Sequence, residues 1–165
     1  MNKVAAHFYT KSYASPLGAM ILCASDDAVC GVWFDGQAHQ LDASAWTESQ
    51  NHALLGETEV QLGDYFSGKR TQFDLPIAFL WGSPFQHSVW HALRSIRYGQ
   101  HLTYGALAAA LNRPKAVRAV GAAIGHNPIS VVVPCHRVIG AQGALTGYAG
   151  GIERKKALLQ QEGIL

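Results

Sequence analysis

The sequence predicts an α+β fold, with a small N-terminal antiparallel sheet and a helix followed by a mostly helical C-terminal domain containing a helix-turn-helix. Three observations carry this. The first 34 residues hold three short segments rich in β-branched and aromatic residues, separated by turn signals. From Ala53 onward apolar residues recur mainly at helical spacing. At GSPF the charge changes sign: residues 1–81 carry four Lys and Arg against nine carboxylates, and residues 82–165 carry nine against two. This places a boundary between residues 1–81 and 82–165.

In chain order, HFYTKSY, AMILCAS and AVCGVWF form a meander of three antiparallel strands, turned at SPLG and at Asp26-Asp27. Leu54, Leu55, Val60, Leu62, Tyr65 and Phe66 then predict a helix from about Ala53 to Phe66, stopped by SGKR and covering the sheet. TQFDLPIAF reads as a further extended segment. Nothing in residues 1–81 looks catalytic, so their expected task is structural. Ser83 caps and Pro84 opens a helix through Phe85, Val89, Trp90, Leu93 and Ile96, ending near Tyr98-Gly99. TYGALAAAL is a short helix broken by NRP, and KAVRAVGAAIG follows as another, so Tyr104 to Gly125 has the punctuation of a helix-turn-helix. VVV before Pro134 reads as a buried strand. GAQGALTGYAGG, with five glycines in twelve residues, is a loop whose backbone can approach a ligand. IERKKALLQQEG is an amphipathic helix turning Ile152, Ala157, Leu158 and Leu159 to the core.

With 165 residues, 48% of them apolar, the chain can build a real core. No apolar run approaches the roughly 18 residues of a membrane span, and His7 and Lys11 interrupt the N-terminus, so the expected place is the cytoplasm. Cys23, Cys30 and Cys135 are too few and scattered for a disulfide framework. Cys23 and Cys30 read as small apolar residues in strands. A metal shared with His7 is the other reading, although zinc sites show tighter cysteine pairs. The basic second half points to a polyanion, nucleic acid first. The helix-turn-helix alone fits plain packing equally well. Its second helix is nearly all Ala and Gly, with Lys115 and Arg118 the only long side chains, so it can lie close to a DNA surface or a neighbouring helix.

Cys135 and His136 follow Pro134. A thiol with pKa near 8.5 is mostly protonated at neutral pH. If the chain turns at Pro134, His136 can take its proton, directly or through a water, and a carboxylate can orient the imidazole. Glu162, one of two acids in the basic half, is the economical candidate. A buried inert cysteine beside a hydrogen-bonded histidine is the competing reading.

PCHRV at 134–138, with GSPFQHSVWHALRSIRYG, LTYGALAAALNRPKAVRAVGAAIGHNPI and LTGYAGGIERKKALLQQEG in order, resembles the O6-alkylguanine-DNA alkyltransferases, single-use DNA repair proteins. Arg97 and His126 depart from the usual pattern. The resemblance implies a ribonuclease-H-like N-terminal domain and a C-terminal domain that binds double-stranded DNA in the minor groove. It makes Cys135 the alkyl acceptor, His136 and Glu162 its proton relay, Asn127 the brace of that network and Tyr104 a donor to the guanine ring. Arg118 would fill the space of the flipped nucleotide, with Lys115, Ala119, Tyr104 and Arg137 also on the DNA side. Val138, Tyr148, Ala149 and Gly150 would form the base pocket. No metal or organic cofactor is expected, and the protein would act as a monomer, with clustering on DNA left open. The alternative is a non-catalytic DNA-binding damage or redox sensor. A thiol hydrolase would instead turn over an ester or peptide and have no use for Arg118.

Overall fold

Ser15 closes the first turn by giving its hydroxyl to the Gly18 carbonyl (2.6 Å) and accepting from Leu17 N (3.1 Å). In the computed structural model, which describes residues 7–165, this turn joins β1 (Tyr9–Ser15) to β2 (Gly18–Ala24), antiparallel from Tyr9↔Ala24 to Ser15↔Gly18. A second turn at Ser25 and Ala28 leads to β3 (Val29–Phe34), again antiparallel. The expected meander is present. Two residues, β4 (Thr47–Glu48), add a parallel edge beside β1, giving the order β3-β2-β1-β4.

All six residues of β3 are buried, because both faces of the sheet are covered. Val29, Val32 and Phe34 join the main core, while Cys30 and Trp33 pack with Cys23 under Phe8, Trp46 and Trp81. Gly31 permits this: a Cβ there would fall 2.1 Å from the Trp33 ring, which folds back over it. Cys23 Sγ and Cys30 Sγ are 3.4 Å apart, and His7 bonds Thr47 instead. Among the described residues no three His, Cys, Asp or Glu gather as metal ligands.

α1 (Ala53–Phe66) spans the expected residues and buries Leu55, Leu62 and Tyr65 at spacings of seven and three. Val60 departs from expectation: it is 56% exposed, one step off that face. The segment 71–79 is extended but makes a single bridge, Ile77 to Val29. α2 (Pro84–Leu93) opens with a reciprocal Ser83–Gln86 capping box. It stops five residues short of Tyr98, because Ser95 and Ile96 turn back to Ala92 and Leu93 in tighter i→i−3 bonds. Ile96 stays buried all the same. β5 (Leu102–Thr103) leads into α3 (Tyr104–Ala110), which ends where Asn112 takes φ 59°, and α4 (Val117–Gly125) completes the helix-turn-helix. Trp90 Nε1 ties α2 to α4 through the Ala123 carbonyl (2.7 Å).

β6 (Val138–Ile139) pairs parallel with β5, and α5 (Ile152–Gln161) closes the chain. Leu158 and Leu159 of α5 are buried as expected, but Ile152 is 37% exposed and Lys155 takes a buried place instead. No helix among the described residues is long and apolar enough to cross a membrane. One continuous core runs from Met20 and Phe34 through Leu55 and Trp90 to Leu158.

Candidate active site

Residues 131–133 are not the expected strand. Pro128 and Ser130 are held by the free edge of β3, Val32 N donating to Pro128 O and accepting at its own carbonyl from Ser130 N, both 2.9 Å. The chain then reverses at Val131, whose φ of 70° is a conformation a β-branched residue adopts only when its surroundings impose it. Asn127 is one such constraint: its Oδ1 accepts from Ile129 N (3.0 Å) and its Nδ2 donates to Val133 O (2.9 Å). Three valines in a row suggested a strand, but their backbone groups are spent on turns. Cys135 opens a 3-10 turn, Cys135–Arg137, as the chain leaves Pro134.

Cys135 is 4% exposed and His136 fully buried. His136 Nε2 meets Glu162 Oε2 at 2.5 Å, leaving Nδ1 buried without a protein partner among the described residues. Since Nε2 carries the proton it gives to the carboxylate, the free Nδ1 is the basic nitrogen. Burial lowers the imidazole's proton affinity, and the charges of Arg137 and Lys155 add to this, against the pull of Glu162. Burial pushes the Glu162 carboxyl up, but donors from His136, Arg137 and Tyr65 outweigh it and hold it at about 2. The Cys135 thiol is raised by burial, partly offset by Asn127, by the Lys155 charge and by Tyr148.

Arg137 departs from its expected DNA-facing role. It is buried, with Nε on Glu162 Oε1 (2.7 Å) and a terminal nitrogen on the Ile96 carbonyl (2.6 Å), so its charge is spent inside the protein. Residues 1–81 also reach this cluster. Tyr65, from α1, donates to Glu162 Oε2 at 2.6 Å.

Tyr148, which neighbours the thiol, borders a cleft of about 460 Å³, walled by Tyr104, Gly121 and Ala122 on one side and by Thr146, Gly147, Tyr148 and Ala149 on another. A loop of the N-terminal half supplies a third wall: Ala38 N donates to Ala149 O (3.0 Å), and His39 stacks on His126 with ring centres 3.8 Å apart. Tyr104 OH donates to Thr146 O (2.9 Å) and receives Lys155 Nζ at 3.4 Å. Tyr148 OH is buried beside the thiol with no hydrogen-bond partner among the described residues. Of the four expected pocket residues, Tyr148 and Ala149 line the cleft, while Val138 is buried in β6. Gly150 lies beneath the wall, where a Cβ would come 2.9 Å from both Phe34 and Tyr148. Lys115, two residues before α4, and Arg118 and Ala119 in its first turn are exposed. A larger cavity of about 560 Å³ lies on the other flank of the turn, lined by Val132, Pro134 and Arg137 together with Arg94, Ile96 and Tyr98.

A family model described as "6-O-methylguanine DNA methyltransferase, DNA binding domain" matches residues 84–164, and its "ribonuclease-like domain" counterpart matches residues 8–79. The chain belongs to the 6-O-methylguanine DNA methyltransferase family. A family member from Mycolicibacterium paratuberculosis, named methylated-DNA--protein-cysteine methyltransferase, is 47% identical over 148 residues, 90% of this chain and 88% of that protein. One of the same name from Salmonella typhimurium is 59% identical over 105 residues, 64% and 61% of the two chains. Among solved family structures, Mycobacterium tuberculosis OGT in complex with DNA superposes with a TM-score of 0.85 at 42% identity, covering 94% of this chain and 92% of that one.

Sequence reasoning missed Tyr65, Lys155, His39 and the true place of Arg137. A lysine inside the apolar repeat of α5 was the one readable hint, since IERKKALLQQ puts Lys155 three and four residues before Leu158 and Leu159.

Proposed function

We propose that the protein repairs DNA by moving an alkyl group from O6 of guanine in a duplex to Cys135, once per molecule. The observation that carries this is the buried His136–Glu162 pair directly after Cys135 in the chain, in which the carboxylate fixes the imidazole and leaves Nδ1 without a partner among the described residues.

The target atom is inaccessible within a stacked helix, so the nucleotide must leave it, at a cost of a few kcal/mol that is smaller for a poorly paired damaged base. Lys115, Arg118 and Ala119 meet the minor groove, and Arg118 takes the vacated space. The base enters the cleft between Tyr104 and Tyr148. Backbone carbonyls near Cys135 and Val138 accept from the base amino group. The thiol proton passes to His136 Nδ1 through a bridging water, and the imidazolium is balanced by Glu162. The sulfur then forms its bond to the alkyl carbon as the carbon–O6 bond breaks in line, and the electron pair leaves into the guanine ring. Tyr104 protonates that ring, and its hydroxyl is made a better donor by Lys155 Nζ. The thioether has no route back, so each molecule acts once. We place this activity in the cytoplasm, and assign DNA binding and acceptance to residues 82–165, with residues 1–81 as their support.

Intact-protein mass spectrometry after mixing with an O6-methylguanine duplex tests this. One methyl gain per protein, mapped to Cys135 and missing in Cys135→Ser, is the expected result. Duplex binding without any mass gain would establish the sensor reading instead.

A further inference from the structure

Glu162 receives one hydrogen bond from outside the C-terminal half. Tyr65 lies at the end of α1, fully buried, 97 residues away in sequence. Its hydroxyl reaches the same oxygen, Oε2, that holds His136, at 2.6 Å against 2.5 Å. Arg137 reaches Oε2 at 3.2 Å and Oε1 at 2.7 Å, and Gly99 N reaches Oε1 at 3.4 Å. Gln161 Nε2 donates to the Tyr65 backbone carbonyl at 2.5 Å, and the ring packs between Phe73 and an edge-on Tyr98, with ring centres 5.5 and 6.1 Å away. Core packing asks only for the ring, which phenylalanine would supply. The hydroxyl adds a donor aimed at a carboxylate oxygen already in use.

We propose that Tyr65 is a positioning residue of the alkyl-transfer site, whose hydroxyl sets how strongly Glu162 draws on the His136 imidazole. This rests on the reading that His136 takes the Cys135 proton. Two donors on one oxygen share its electron density, so each bond weakens the other. With Tyr65 in place, Oε2 is a weak base, the imidazole stays neutral and Nδ1 is ready to accept. Without the phenol, Oε2 binds the Nε2 proton more firmly and the imidazole keeps a second proton to higher pH. The other charged or titratable groups facing this pair are Arg137 from the 3-10 turn, Tyr98 from the segment after α2, and Lys155 from α5, whose charge opposes imidazole protonation. None of them moves in the test below.

The test is the single-turnover rate of methyl transfer from an O6-methylguanine duplex as a function of pH, for the full chain, Tyr65→Phe and Tyr65→3-fluorotyrosine. The fluorinated phenol is a stronger donor in the same place. The acid limb of the Tyr65→Phe profile is expected to move to higher pH by about one unit, the size of one hydrogen bond to a charged group, making the variant about tenfold slower on that limb. The fluorinated protein is expected to move the opposite way, and it alone decides the matter if Tyr65→Phe does not fold. A limb that stays put in the folded variants, whatever their thermal stability, would reduce Tyr65 to core packing and overturn the proposal. A wild-type chain that gains no methyl at any pH would instead remove the alkyl-transfer reading on which it stands.

Discussion

Cys23 and Cys30 in the sheet and Cys135 in its turn are buried to nearly the same degree, yet they live in different chemistry. The sheet pair have each other and a wall of tryptophans, Trp33, Trp46 and Trp81. The hydrogen bond between the two thiols, with burial, pushes Cys23 far above the usual thiol range, while the same bond lowers Cys30 against its burial. Cys135 has Asn127, Tyr148 and the Lys155 ammonium close by, and a histidine next in the chain. Exposure therefore does not separate Cys135 from the other two. What sets it apart is a histidine next in the chain and the Lys155 charge close to its thiol.

The largest expected effect breaks that comparison outright. Replacing both Cys23 and Cys30 by alanine should leave one methyl accepted per molecule, whereas Cys135→Ser should accept none, read by intact mass. Next, Glu162→Gln should slow transfer by about 10²- to 10⁴-fold through loss of the oriented base, and should cost about 3–5 kcal/mol in denaturant unfolding because Arg137 remains buried without its counter-charge.

Acid should sharpen the contrast between the two regions. Glu162 lies below its unfolded value, at about 2, so its contribution is present above the ordinary carboxylate range and is lost as pH falls through about 4.5 toward 2. Its full loss amounts to roughly 3 kcal/mol. His136 is also lowered, so the unfolded chain protonates first and stability begins to fall below about 6.5. Unfolding midpoints measured against pH should show this slope in the wild type and in the Cys23, Cys30 double variant, and a flatter carboxylate portion in Glu162→Gln. The smallest effect concerns the spent protein. A methyl on Cys135 adds volume to a filled site, and calorimetry should find it about 1–3 kcal/mol less stable than the free thiol form.

Much of this was legible in the sequence wherever the signal was local. The bounds of α1, the Ser83 cap and the break at Asn112 follow from spacing and from single residues. Cys135, His136 and Glu162 could be argued from the residues and Asn127 only from resemblance; the structure pairs His136 with Glu162 and sets Asn127 against the Cys135 thiol. What was illegible depends on contacts far apart in the chain. Residues 131–133 look like a strand by composition, and only the grip of Val32 on Pro128 and Ser130 makes them a turn. Arg137 was set on the DNA side by the resemblance, and nothing local in the chain points to its partner Glu162, 25 residues away. Tyr65 gave no signal at all, since an aromatic at helical spacing reads as core, which it also is.

The hold of β3 on Pro128 and Ser130 has a further consequence. β3 ends the sheet, and its outer hydrogen-bonding groups are capped at one end by Pro76 and Ala78 and at the other by the segment leading to the cysteine. A bare edge of this kind is a template for pairing with another chain. VCGVWF keeps that cover only while the chain holds its turn before Cys135, so the segment that positions the cysteine is also the guard of the sheet edge.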